Sequence, residues 1–198
     1  MIERYKNFRT PENKITEVKR INEAAEVIIE VGEKAKKPNT LPDAVVKMIN
    51  ERIGDEYTAH YYYRNAANWC NNVNYKKAAA FFEAEANSEL EHAKGLQEYL
   101  DQWNIMPEIP AAPTKMNFKS LVEVINGAYD MEYGLLEKYS ENQKEAFDVH
   151  PATFNFVQGY VNIQNEAVAE YSDLLNAVEL VDENNKLDIL YFENNYFG

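Results

Sequence analysis

The chain has 198 residues, 45% of them hydrophobic and 27% charged, which suits one domain with a single sizeable core. Its net charge of −13 repels nucleic-acid phosphate and favours metal cations, and no stretch is apolar enough to span a membrane. One cysteine, Cys70, excludes an internal disulfide or a CxxC metal site, and the charged first residues lack a signal peptide's apolar run, so the cytosol is the expected compartment.

Taken in chain order, Ile15, Val18, Ile21, Ala25, Ile28 and Ile29 recur at helical spacing and predict an amphipathic helix over roughly 12–35. Pro38 and Pro42 then bracket a break. Residues 1–40 therefore read as an N-terminal extension and 41–198 as the main domain. The stretch from Thr40 to Asp43 looks like a helix start, with Thr40 or Leu41 near the cap and Pro42 in the first turn. Four long helical patterns follow, over roughly 42–71, 74–103, 117–144 and 151–179. Asn71 to Asn74 forms a tight turn between the first two, and His150-Pro151 starts the fourth.

The link over 104–116 is different in kind, because Pro107, Pro110 and Pro113 give it an extended character. Thirteen extended residues reach about 43 Å at about 3.3 Å each, and a 28-residue helix is about 42 Å long. The link can therefore run the length of a bundle and set the second and third long helices parallel, as in bundles with one crossover. A short apolar segment at 187–192 predicts a small fifth helix. The expected fold is all-α: a four-helix bundle with a long crossover, a short C-terminal helix and an extra N-terminal helix.

Each long helix carries a core stripe at steps of three and four, and each stripe is broken once by a polar residue. The first runs Ile49, Ile53, Glu56, Ala59, Tyr63, Ala67, Cys70. The second runs Phe82, Ala86, Glu89, His92, Ala93, Leu96, Leu100. The third runs Leu121, Ile125, Ala128, Glu132, Leu135, Tyr139. The fourth runs Val157, Val161, Gln164, Val168, Tyr171, Leu175. The breaks all lie near mid-helix, so they fall at one level of the bundle whichever way each helix runs.

A buried Glu alone is ordinarily neutralised by Lys or Arg, and a lone His is ordinarily a satisfied core imidazole. No Lys or Arg lies on these four stripes. Carboxylates grouped in a core must be protonated or matched by cations, and two divalent metals would supply that charge. Glu89 and His92, at i and i+3, share a helical face and form the Glu-x-x-His element of di-iron bundles. Hard oxygens with one imidazole suit iron better than copper.

At these residues the sequence resembles the ferritin family. Glu51-Arg52-Ile53-Gly54-Asp55-Glu56 followed by Tyr63 is similar to the first helix of bacterial non-haem ferritins, and Ser88-Glu89-Leu90-Glu91-His92-Ala93 to the second. Phe118-Lys119-Ser120-Leu121 with Tyr129 and Glu132 is similar to the third helix. Thr153-Phe154-Asn155-Phe156 with Tyr160 and Gln164 is similar to the fourth, and Leu190-Tyr191-Phe192 to the start of a short fifth.

The resemblance implies two irons per subunit and ferroxidase activity with O2 or H2O2. Glu56, Glu89 and His92 would hold the first iron. Glu89 would bridge to the second, held also by Glu132, with Gln164 beside it. Tyr63 would hydrogen-bond into the site and supply an electron. It further implies storage of ferric mineral in a hollow homo-oligomer, a shell of 24 chains. Some positions depart from the bacterial pattern. Ala167 stands where a His or Glu ligand is usual, and Ser88 and Ile163 remove carboxylates of a third iron site, leaving Glu166. The centre is thus similar to the animal heavy-chain type, with no methionine placed for haem.

Rival readings are another di-iron oxidase or peroxidase, a non-catalytic shell subunit, and a DNA-protecting relative. The first usually carries a second Glu-x-x-His, whereas His60 and His150 are preceded at that spacing by Tyr57 and Phe147. The last conflicts with the acidic charge.

Overall fold

The computed structural model describes residues 41–112 and 116–197, and all of its regular structure is helical. The expected helix over 12–35 lies outside the described residues. Four long helices are α1 Asp43–Asn72, α2 Lys76–Gln102, α3 Leu121–Val149 and α4 Pro151–Val178, and a short α5 spans Lys186–Tyr196. None is long and apolar enough to cross a membrane.

Local chemistry sets the helix ends. Pro42 stands at the N-cap of α1 with no side-chain cap, so the helix begins at Asp43, one residue later than Pro42 itself predicts. Both α1 and α2 close in Schellman motifs with an Asn in the left-handed region. Asn74 has φ 68° and Asn104 has φ 57°. Tyr75 N donates to Cys70 O at 2.9 Å, and Ile105 N donates to Leu100 O at 3.0 Å. Asn adopts this conformation more readily than other side-chain-bearing residues, which places the chain reversals where they are.

Ser120 caps α3 by accepting from Glu123 N at 3.0 Å, so this helix starts at 121 rather than 117. It also continues to Val149, past the expected end at 144. His150 alone separates it from α4, and serves both helices. Its N–H donates to Ala146 O at 2.9 Å, and its Nδ1 accepts from Thr153 N at 3.3 Å, with Pro151 in the first turn of α4.

Contacts along the helices fix the topology. Arg64 meets Glu83 and Gln97 meets Tyr57, so α1 and α2 are antiparallel. Tyr62 Oη donates to Val124 O at 2.7 Å, while Lys138 meets Asp55, so α1 and α3 are also antiparallel. Hence α2 and α3 are parallel, as the proline-rich link requires. On one side of the link Glu108 N donates to Asn50 Oδ1 at 2.9 Å, near the start of α1. On the other, the Phe118 ring lies 5.3 Å from Tyr62 and 6.3 Å from Trp69, near the end of α1. The crossover spans the bundle.

The core forms two apolar compartments divided by a polar layer. One holds Ile49, Ile53, Leu96, Leu100, Tyr139 and Val157, all buried. The other holds Tyr63, Phe82, Ile125, Ala128, Tyr171 and Phe192. Burying each large side chain contributes about 1.5–3 kcal/mol. On α4 the stripe beyond the layer runs through Tyr171, Leu174 and Val178, while the expected Val168 and Leu175 are only half-buried.

The last helix is tied in by an unusual cap. α2 has no side-chain cap of its own at Tyr75. The buried carboxylate of Glu193, on α5, accepts from Lys77 N at 2.6 Å and Ala78 N at 3.2 Å. A negative charge at a helix N-terminus is also favoured by the helix dipole. Beyond it α5 continues to Tyr196, and Phe197 is buried against Phe81, Phe82 and Phe192. Glu193→Ala leaves two first-turn amides without this acceptor, and is expected to lower stability by about 2 kcal/mol in chemical denaturation. Glu193→Gln, which keeps an acceptor, is expected to lose less than half of that.

Candidate metal centre

The four predicted polar breaks do fall at one level. Glu56, Glu132 and Gln164 are completely buried, Glu89 nearly so, and His92 is half-buried. They reach the centre because each sits on the inward stripe of its own helix. Glu56 comes from α1, Glu89 and His92 from α2, Glu132 from α3, and Gln164 from α4.

The structure brings Glu56, Glu89 and His92 together. One potential ligand atom from each lies within 4.8 Å of the other two. His92 Nδ1 is 3.1 Å from Glu89 Oε2 and 3.8 Å from Glu56 Oε2. Helical i, i+3 spacing alone puts the first pair on one face; the bundle supplies the third. Glu132 is held apart from this cluster by hydrogen bonds of its own. Tyr63 Oη donates to its Oε1. The Gln164 amide is satisfied with its nitrogen turned to Glu132, donating to Oε2 at 2.7 Å and to the backbone carbonyl at 3.2 Å.

Burial dominates the electrostatics of the site. Burial pushes the Glu89 carboxyl well above its usual range, and the Glu56 charge adds to this although the His92 hydrogen bond opposes it. Burial likewise raises Glu132 to about 7, against the hydrogen bond from Tyr63 and with the charge of Glu56. Burial by itself would lower His92, but the neighbouring carboxylates of Glu56 and Glu89, the latter hydrogen-bonded to it, outweigh burial and raise the imidazole to about 10. All three shifts favour the protonated forms, so the layer calls for added positive charge. Glu56 Oε2 is buried with no hydrogen-bond partner among the described residues. An orphaned carboxylate oxygen facing an imidazole fits a cation between them.

Three features escaped sequence reasoning. Arg52, off the α1 stripe, is a buried cation. Its guanidinium does not neutralise the layer, because it pairs with Asp55 at 2.8 Å and donates to Asn142 at 3.2 Å. Tyr139 donates to Glu56 Oε1. On its stripe it reads as one more apolar member, and the available signal was its place seven residues after Glu132, matching Tyr63 seven after Glu56. Glu85, one turn before Glu89, is raised to about 7 by burial and by the charge of Glu170. Burial also keeps the phenols of Tyr63 and Tyr139 protonated, hence donors.

His60 and His150 lie elsewhere, His60 against Ala86 O and His150 at the α3–α4 junction. Cys70 is a buried thiol pushed up to about 12 by burial, and acts as a core hydrophobe.

Comparisons with known proteins place this geometry. Residues 46–181 match the family described as Ferritin-like domain. The chain is 33% identical over 146 residues to the bacterial non-heme ferritin of Campylobacter jejuni, covering 72% of this chain and 87% of that protein. It is 28% identical over 139 residues to the ferritin-2 heavy chain of Schistosoma mansoni, covering 67% and 81%. Its fold is similar to that of the open pore ferritin of Archaeoglobus fulgidus, with a TM-score of 0.74 and 21% identity, covering 79% of this chain and 97% of that one. The chain belongs to the ferritin family.

Because the raised groups hold protons that a metal must displace, Zn(II) added to metal-free protein at pH 6.5 is expected to release about two protons per chain. Back-titration in weakly buffered solution measures this, and release well below one proton would show that the cation binds elsewhere.

Proposed function

We propose that this chain is an iron-storage ferritin subunit that oxidises Fe(II) within its own bundle. The observation that carries this reading is the meeting of Glu56, Glu89 and His92 ligand atoms within 4.8 Å, at the same level as Glu132 and Gln164. Two Fe(II) ions are the substrate. Glu56, Glu89 and His92 bind the first. Glu89 bridges to the second, which Glu132 also binds. Gln164 holds Glu132 in place and presents its amide beside the second iron. The second iron has fewer protein ligands and is the more labile of the pair.

Each Fe(II) gives up one electron. The pair together reduces O2 to hydrogen peroxide, or hydrogen peroxide to water, with two protons taken up. The carboxylates favour Fe(III) because their charge stabilises the higher oxidation state. In this reading Tyr63, hydrogen-bonded to Glu132, can supply one of the two electrons in place of an iron, its phenol proton passing to Glu132 as it becomes a neutral radical. Names among the relatives support the iron-storage reading, since curated similar proteins are non-heme ferritins and a ferritin heavy chain.

In this reading the ferric product mineralises inside a closed homo-oligomer, a shell of 24 chains in the cytoplasm. No haem takes part, and neither nucleic acid nor membrane is a partner. Residues 1–40 are an extension to the di-iron domain of 41–198.

Adding two Fe(II) per chain to metal-free protein in air, and following ferric absorbance by stopped flow, tests the proposal. The parent is expected to oxidise iron fast, saturating near two per chain. Glu89→Ala is expected to fall to the rate of iron in buffer, because it removes the one ligand both irons share. A Glu89→Ala variant as fast as the parent would overturn the assignment.

A further inference from the structure

Tyr139 is buried in the apolar compartment beside the metal layer and reaches into it from α3. Its ring stacks on Tyr160 with centroids 5.1 Å apart and planes 20° from parallel. Tyr160 is itself anchored, donating from Oη to His92 O at 2.9 Å. The Arg52 guanidinium carbon lies 6.0 Å from the Tyr139 ring centroid, and Arg52 is fixed by Asp55 and Asn142. The phenol is therefore held by three helices before it makes its hydrogen bond.

That hydrogen bond goes to one oxygen of Glu56. Oε1 accepts from Tyr139, and Oε2 is left bare, 3.8 Å from His92 Nδ1. A free carboxylate binds a cation through one oxygen or through both. With Oε1 occupied by a donor, one oxygen remains.

Resting on the ferroxidase reading, we infer that Tyr139 is a positioning residue that makes Glu56 present Oε2 alone to the first iron. One-oxygen binding keeps a coordination position open on that iron, where the oxidant must approach. Tyr63 donates in turn to one oxygen of Glu132, and the two phenols act on different irons.

Tyr139→Phe tests this, since it keeps the stacked ring and removes only the hydroxyl. The probe is Co(II), whose visible absorption reports coordination without turnover. The parent is expected to bind two Co(II) per chain. In Tyr139→Phe the stronger site is expected to weaken roughly ten- to a hundredfold, with a changed visible band and an unchanged second site. In Tyr63→Phe the second site is expected to change instead. A Tyr139→Phe protein with both affinities and the band identical to the parent overturns the inference and leaves the ferroxidase reading intact. A parent that binds no Co(II) at the cluster brings down the ferroxidase reading, and this inference with it.

Discussion

The structure depends on one constraint: three carboxylates share a single level of an otherwise apolar core. Each would be costly there unpaired. Every polar neighbour in the layer answers that demand. Tyr139 and Tyr63 donate to Glu56 and Glu132, Gln164 donates to Glu132, and the protonated His92 sits against Glu89. After these bonds are counted, Glu56 Oε2 is left without a partner, 3.8 Å from the imidazole. The donors thus define by elimination where a cation goes. Replacing the layer with apolar residues would remove the desolvation penalty, so the arrangement is maintained for chemistry and not for stability.

The two tyrosines follow from helix direction. Each stands seven residues after the carboxylate of its own helix and bonds the carboxylate of the other. Side chains on a helix lean toward its N-terminus. Because α1 and α3 are antiparallel, Tyr63 and Tyr139 approach the layer from opposite compartments and lean back into it. A single topological fact, set by the crossover, produces a crossed pair of braces. Parallel helices would have put both phenols on one side.

Much of this was legible in the sequence because a polar residue on a stripe of period 3.6 is conspicuous. Glu56, Glu89, Glu132 and Gln164 stood out in that way, and the distance from each helix start placed them at one level. The proline-rich link gave the helix directions through length alone. What stayed hidden were interactions between elements. Tyr139 looks apolar on a helical wheel, and only its neighbour on another helix shows what its hydroxyl does. Arg52 looks like a surface residue until Asp55 and Asn142 are seen to bind it. The end of α3 lies beyond the expected 144 because the stop is set by His150 serving two helices at once. The assignment of ligands to particular irons came from resemblance, and periodicity carries no such information.

The cap on α2 has a consequence for how the molecule is made. The helix that carries Glu89 and His92 begins with amides whose acceptor, Glu193, lies 115 and 116 residues further along the chain. Contacts so distant in sequence form late and slow the search for the native state. During synthesis the start of α2 must wait, frayed, until nearly all of the described chain has been made. The order of translation therefore sets a moment before which the first turn of the helix carrying Glu89 and His92 is uncapped.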